Sequence, residues 1–256
     1  MNIEKLPMTL VVVTLNEEAN LRRCLISADF CQHKIVVDSG STDRTVDIAQ
    51  EMGAEVLTRN WTGFADQKNF GVAAAKTEWV LCLDADEEIS PELRQSIVTL
   101  RDRLSQHDGF ELNRHAFYLN RFINHSGWYP EWRLFLYRKS CGSWGGSEPH
   151  AHVKFSGRKA RLRGDLYHYT YRDIRHHAQK TLCYAQTAAQ AMFEAGRHAS
   201  FFDLRARAPW AFVRSLFLKR GFLDGFAGLV IAWMSAYYTF LKYALLKQLS
   251  SKAEPQ

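Results

Sequence analysis

W-V-L-C-L-D-A-D-E-E, residues Trp79–Glu88, decides how the chain is read. Val80–Leu83 is a short apolar run of the kind that forms a strand buried on both faces. It ends abruptly in Asp84-Ala-Asp86. Two carboxylates one residue apart, at the exit of a buried strand, can approach one small hard cation. Mg2+ or Mn2+ favours such oxygen ligands and keeps positions for water and phosphate. Asp86, together with Asp84, is therefore the candidate metal-binding pair. Glu87 and Glu88 add negative charge ahead of Ser90-Pro91-Glu92, which reads as a helix start with Ser at the N-cap and Pro in the first turn. Alone, the pair also reads as a solvated acidic loop before a helix, so the preceding chain has to decide.

Thr9–Thr14 (T-L-V-V-V-T) is continuously apolar and β-branched, hence a central strand. Leu15-Asn-Glu-Glu18 leads into a helix ending near Ala28, with Asn16 as its expected N-cap. Lys34–Asp38 is a second strand, again closed by a carboxylate, followed by the turn Ser39–Asp43 and a helix to Met52. Glu55–Thr58 is a third strand and Gly63–Lys76 a third helix. Strands alternating with helices predict an α/β fold with a mostly parallel sheet. Ligands of such sheets bind beyond the carboxyl ends of the strands. Three strands deliver polar groups to that edge: Thr14, Asn16 and Glu17; Asp38 and Ser39; Asp84 and Asp86. No G-x-G-x-x-G follows the first strand and no G-x-x-x-x-G-K-[ST] occurs, which counts against a dinucleotide oxidoreductase and a P-loop NTPase.

V-V-V-T-L-N-E-E, V-V-D-S-G-S-T-D, Gln67-Lys68-Asn69-Phe70-Gly71 and L-C-L-D-A-D-E, in that order over roughly the first 90 residues, resemble the family 2 glycosyltransferases of the GT-A nucleotide-sugar-binding fold. The resemblance implies roles. Thr14, Asn16 and Glu17 would lie beside the nucleoside, and Asp38 would contact uracil or ribose. Asp84 and Asp86 would form the D-x-D pair that meets ribose and diphosphate through the metal. Lys68 would lie near the donor. Read without the resemblance, Asp38 is a turn residue capping a helix and Lys68 a solvated position.

Further on, Ser90–Leu104 reads as an amphipathic helix, Gly109–Phe122 as strand-like, and Trp128–Tyr137 as an aromatic segment ending in a strand. Trp128 and Trp132 either stack on sugar rings or pack in a core. Gly145-Gly-Ser-Glu148-Pro-His150-Ala-His152 joins a flexible pair of glycines to a carboxylate and two histidines. A general base has to sit within hydrogen-bonding distance of the acceptor hydroxyl. Glu148 is the first candidate and Glu131 the second. His150, His152 and His168 are candidates for the metal or phosphate site. W-Y-P-E-W-R-L-F, G-G-x-E-P-H-A and L-x-H-Y-T-Y resemble the lipopolysaccharide inner-core β-1,4-glucosyltransferase branch, which implies transfer of glucose from UDP-glucose to a core heptose. Ala151 stands where related members carry the Glu of a Val-His-Glu string, which leaves Glu148 as the nearby carboxylate.

Charge divides the chain. Residues 1–150 hold 16 Lys and Arg against 21 Asp and Glu; residues 151–256 hold 17 against 6. The front predicts a metal-dependent catalytic domain (1–170, donor-binding to about 90, acceptor-facing from about 105). The rear (171–256) predicts a helical, basic region that meets an anionic surface. Asp173–Ala195 reads as a long helix closed by Gly196, Pro209–Arg220 as a short one, and Gly221–Leu249 as a last one. Its 17 uncharged residues from Gly225 fall below the ~20 needed to span a bilayer. An interfacial helix with aromatic rings at headgroup depth is expected, against a helix docked on the protein or on a second subunit. Five scattered cysteines without C-x-x-C, and a start without a secretory pattern, predict reduced thiols in a cytoplasmic setting; the resemblance adds the expectation of an enzyme at the cytoplasmic face of the inner membrane. The expected partners are a nucleotide sugar, a lipid-linked oligosaccharide acceptor and the membrane surface, with no nucleic acid. The competing readings are a polyprenyl-phosphate glycosyltransferase, a nucleotidyltransferase, and a non-catalytic glycan-binding membrane protein.

Overall fold

The computed structural model describes residues 5–101, 104–146 and 151–253. The chain forms two compact units. One comprises the chain up to His115 plus Glu131–His168; the other comprises Ala116–Pro130 and the chain from Tyr169 onward. Ala116–Pro130, read from sequence as part of an acceptor-facing segment, thus belongs to the helical unit.

In the first unit, β1 (Leu6–Thr14), β2 (Cys31–Asp38), β3 (Glu55–Thr58) and β4 (Trp79–Asp84) lie parallel in the order β3-β2-β1-β4. Helices α1 (Leu21–Ser27), α2 (Thr45–Glu51) and α3 (Phe64–Ala74) connect them. Leu10, Val12, Leu81 and Leu83 are fully buried in the principal core, as continuous apolar runs in a doubly covered sheet demand. The register sets Thr14 opposite Asp38 and Val13 opposite Asp84, so three strands end level. Gly71 brings α3 close to them: a Cβ there would lie 2.4 Å from Val11 Cγ1.

Beyond β4 the sheet turns antiparallel. The order continues through β8 (Glu131–Arg138), β6 (Gly109–Tyr118), β11 (Lys159–His168) and β5 (Glu87–Ile89). The sheet is therefore mixed, where the sequence predicts a mostly parallel one. β9 (Gly142–Gly145) and β10 (His152–Phe155) form a separate antiparallel pair. Helix α4 (Pro91–Val98) starts as expected, with Ser90 Oγ accepting from the Leu93 amide and Pro91 in the first turn. Two local expectations fail. Asn16 does not cap α1; it sits at φ +55 in the loop, and Asn20 holds the N-cap position. Glu87 and Glu88 are not a solvated acidic loop but two of the three residues of β5.

In the second unit, β7 (Arg121–Phe122) pairs with the end of β6. Helix α5 (Ile174–Glu194) is capped by Asp173, whose carboxylate accepts from the His176 amide at 2.7 Å. Gly196, at φ +70, follows its end. Helix α6 spans Phe201–Val213, so Pro209 lies inside it rather than at its start. A capping box between Ser200 and Asp203 begins the helix earlier, and a π-helical turn, Arg214–Leu218, follows it. A 3-10 turn, Gly221–Asp224, leads into α7 (Gly225–Ala253). Residues Gly221–Ser251 are long and apolar enough to cross a membrane by length and composition, more than the 17-residue count implied. Asp224 is fully buried and accepts from the amides of Asn124 and His125, tying Ala116–Pro130 to the start of α7.

Candidate active site

The loops after β1 and β2 are laced together. Asn16 Oδ1 accepts from the Thr42 amide, and the amides of Asn16 and Glu17 donate to Ser41 and Thr45 hydroxyls, each at 2.8 Å. Glu17 also accepts from the Asn20 side-chain amide. Asp38 is buried, and its carboxylate accepts from the amides of Gly40 and Ser41 and from the Ser41 hydroxyl. It therefore shapes the turn at the sheet edge. Thr14, beside it in register, is buried, and its hydroxyl has no hydrogen-bond partner among the described residues. An orphaned polar atom at that edge is a ready contact for a ligand.

Lys68 is buried, which removes the solvated-helix reading. Its ammonium lies 2.8 Å from Asp84 Oδ1 and 4.2 Å from the centre of the Trp144 ring. Asn69 holds Trp144 in place through two hydrogen bonds with its backbone. A buried ammonium is tolerated when a carboxylate is paired with it, and half-buried Asp84 is that partner. Asp86 points elsewhere: its Oδ2 lies 3.4 Å from His168 Nε2. The pairing of β5 with β11, which sets His168 opposite Glu87, brings the histidine there.

Glu87 was not visible as a functional residue in the sequence. It is buried; Oε2 accepts from the Asp84 amide at 2.9 Å, closing the turn that carries both aspartates. Burial and then the Asp84 carboxylate push its pKa up, while Arg114, 3.5 Å away, opposes them. Arg114 also reaches Glu131 Oε2 at 3.2 Å, and Arg133 holds Glu131 Oε1 at 2.8 Å. Both oxygens of Glu131 are thus engaged by guanidinium groups. Glu148 and His150 lie outside the described residues. His152 is exposed in β10. Trp132 is half-buried with the Arg161 guanidinium 4.7 Å from its ring centre. Trp128 belongs to the second unit, where it packs with Tyr118, Tyr171 and His177.

The structure therefore gathers Thr14, Asp38, Lys68, Asp84, Asp86 and His168 at one sheet edge. Among the described residues no three His, Cys, Asp or Glu side chains already converge on one metal position; Asp86 and His168 form a carboxylate–imidazole pair at this edge, and Asp84 is held by Lys68.

The sequence profile described as Glycosyl transferase family 2 matches residues 9–162. The chain is 32% identical to an uncharacterized glycosyltransferase of Rickettsia typhi over 94% of its length and 87% of that protein. It is 28% identical to the lipopolysaccharide core biosynthesis glycosyltransferase LpsC of Rhizobium meliloti, covering 99% of this chain and 97% of that one. Among solved structures, S. aureus TarS 1-349 in complex with UDP aligns over 97% of this chain and 92% of that chain, at 16% identity and a TM-score of 0.49. With its parallel core strands, level carboxyl ends and profile match over more than half its length, the chain belongs to glycosyl transferase family 2.

Proposed function

We propose that the protein is an inverting, metal-dependent hexosyltransferase that moves glucose from UDP-glucose to a heptose of the lipopolysaccharide inner core. It would act at the cytoplasmic face of the inner membrane. The observation that carries the reading is the Asp84–Asp86 turn at the end of β4, with Lys68 on one aspartate and His168 beside the other. The likeness to LpsC along the whole chain supports the choice of acceptor.

Asp86 and His168 would hold Mg2+ or Mn2+, with Asp84 as the second carboxylate. When bound, the cation supplies Lewis-acid neutralisation of the leaving diphosphate. The protein's own groups do the rest. Thr14, Glu17 and Asp38, on the laced loops after β1 and β2, hold the nucleoside. Lys68, kept in place by Asp84 and Trp144, adds a fixed positive charge on the donor side. Glu87 holds the aspartate turn in shape from beneath. An inverting displacement needs a carboxylate at the acceptor hydroxyl. Glu131 is ion-paired with Arg114 and Arg133, and Glu148 remains the preferred base.

The test is the mass of core oligosaccharide from cells lacking the protein. Loss of one hexose together with its outer extensions is expected; an unchanged mass would remove the acceptor assignment. The apolar length of α7 favours one second reading, transfer to a polyprenyl phosphate. In that case a sugar-phosphate lipid disappears and the core stays intact.

A further inference from the structure

Helix α7 has two apolar faces. One is buried within its own unit: Ala227, Val230 and Ile231 pack with Tyr118 and Ile123, and Tyr243 and Leu246 pack with Ala189 of α5. The other carries Phe226, Leu229, Trp233, Tyr237 and Phe240, all exposed, with Phe226 at 66% and Trp233 at 62%. Spacings of three and four residues put these side chains on one stripe, about 21 Å long at 1.5 Å per residue. Phe212 of α6 meets Trp233 at 4.7 Å between ring centres, and Phe202, Trp210 and Phe217 extend the apolar exposure along α6 and the turn after it. A water-soluble surface does not normally carry so large a contiguous apolar patch.

Charge selects the occupant. Arg205, Arg214, Lys219 and Arg220 are exposed along this segment. The acids nearby are turned inward: Asp224 is buried, and Asp203 is bonded to Ser200 and Arg207. A second copy docked across a two-fold axis would set this cationic patch against itself. An anionic lipid surface complements it. Packing selects the orientation. The inner face of α7 is held by neighbours near both ends, and α5 alongside carries exposed Gln190 and Glu194. A spanning α7 would have to leave those contacts or draw these polar groups into hydrocarbon, where they are costly.

We propose that α6, the π-helical turn and α7 form an in-plane membrane seat. The aromatic stripe lies at the boundary between headgroups and acyl chains, Arg214, Lys219 and Arg220 meet lipid phosphates, and α7 does not cross. This rests on the reading that the enzyme works at a membrane surface and states how it is held there.

The test uses the full-length protein in flotation with vesicles of phosphatidylethanolamine and phosphatidylglycerol, and with phosphatidylcholine alone. The variant Phe226→Ser/Trp233→Ser/Phe240→Ser should bind at least about tenfold more weakly, because each ring removes buried apolar area. Its turnover on a delipidated, soluble acceptor should stay unchanged. Lys219→Gln/Arg220→Gln should weaken binding to the anionic vesicles and leave the weaker binding to phosphatidylcholine as it was. Brominated acyl chains should quench emission that disappears in Trp210→Phe/Trp233→Phe, and alkaline carbonate should release the wild type. Retention after carbonate would overturn the in-plane seat in favour of a spanning helix. Unchanged vesicle binding by the serine variant, with a dimer that falls to monomer, would assign the stripe to a second copy. A wild type that ignores both vesicles yet transfers sugar to the soluble acceptor would sink the membrane-surface reading itself.

Discussion

The two units break the ordinary partition of residues in opposite directions. The first puts charge inside: Lys68, Asp38 and Glu87 are buried, and Arg114 lies beneath the aspartate turn. The second puts large apolar groups outside, with Phe202, Trp210, Phe226 and Trp233 each more than half exposed. Either arrangement costs free energy in an isolated molecule in water. The first is offset by pairing, since every one of those charges has a partner within the unit. The second is offset only in part within its own unit, where Phe212 meets Trp233. A site whose charges are already paired is preorganised for a ligand; a surface whose apolar groups are unpaired is waiting for a phase or a partner.

The largest expected effect falls on the one aspartate of the pair that Lys68 does not engage. Asp86→Ala should lower turnover by at least roughly a thousandfold, the scale of removing a metal or a charge-stabilising group from the reacting centre. Its circular dichroism and unfolding midpoint should match the wild type. Wild-type enzyme in EDTA should show the same loss. Normal turnover of the variant in EDTA would separate the aspartate from any cation.

Lys68→Met tests the pairing itself. Asp84 would keep its partly buried charge without its cation, at a cost of roughly 3 kcal/mol in stability. The urea midpoint should fall, and Lys68→Met/Asp84→Asn should recover much of the loss, as coupled neighbours do. Equal midpoints for the two variants would mean that the pair contributes little to folding.

How much of this was legible in the sequence follows the range of the forces involved. β1, β2 and β4 announce themselves as apolar runs that stop at Thr14, Asp38 and Asp84, and the structure ends them there. The helix start at Ser90-Pro91 is equally local. β5 was hidden because Glu87-Glu88-Ile89 has no apolar period; it exists only because β11, some 80 residues on, pairs with it. The same pairing brings His168 to Asp86, so the sequence offers the histidine but not its place. Pro209 reads as a helix start when taken locally, yet the capping box at Ser200 outweighs it. Burial of Lys68 depends on Trp144, which arrives from another strand pair.

A pH experiment extends the contrast to the second unit. His177 is buried, stacked on Tyr171 at 4.0 Å between ring centres and within 3.1 Å of the Tyr118 hydroxyl. Burial, and then the neighbouring His176, lower its pKa from 6.5 to about 4. The unfolded chain therefore takes up a proton first as pH falls, so stability declines from about pH 6.5 and levels off near pH 4. The loss should reach about 2 kcal/mol by about pH 5. His177→Phe keeps the stack and should flatten that slope in unfolding followed by near-ultraviolet circular dichroism. A slope unchanged in the variant would assign it to other groups.

The smallest effect is the most specific to the second unit's surface. Helix α6 packs Ala208, Leu204 and Phe212 inward but leaves Phe201, Phe202 and Trp210 in water. Its start depends on the Ser200–Asp203 capping box: the Asp203 amide donates to Ser200 Oγ at 3.1 Å, and Asp203 Oδ2 accepts from the Ser200 amide at 2.9 Å. Ser200→Ala removes one half of that exchange and should destabilise the helix by about 1 kcal/mol. In water the amides of Phe201–Leu204 should then exchange hydrogen several-fold faster, a readout confined to the first turn. On anionic vesicles the outward Phe202 and Trp210 would be covered, and burial of either ring contributes more than the cap removes. The difference between variant and wild type should therefore shrink on vesicles. Equal differences in water and on lipid would mean that α6 gains nothing from the membrane, and would confine the seat to α7.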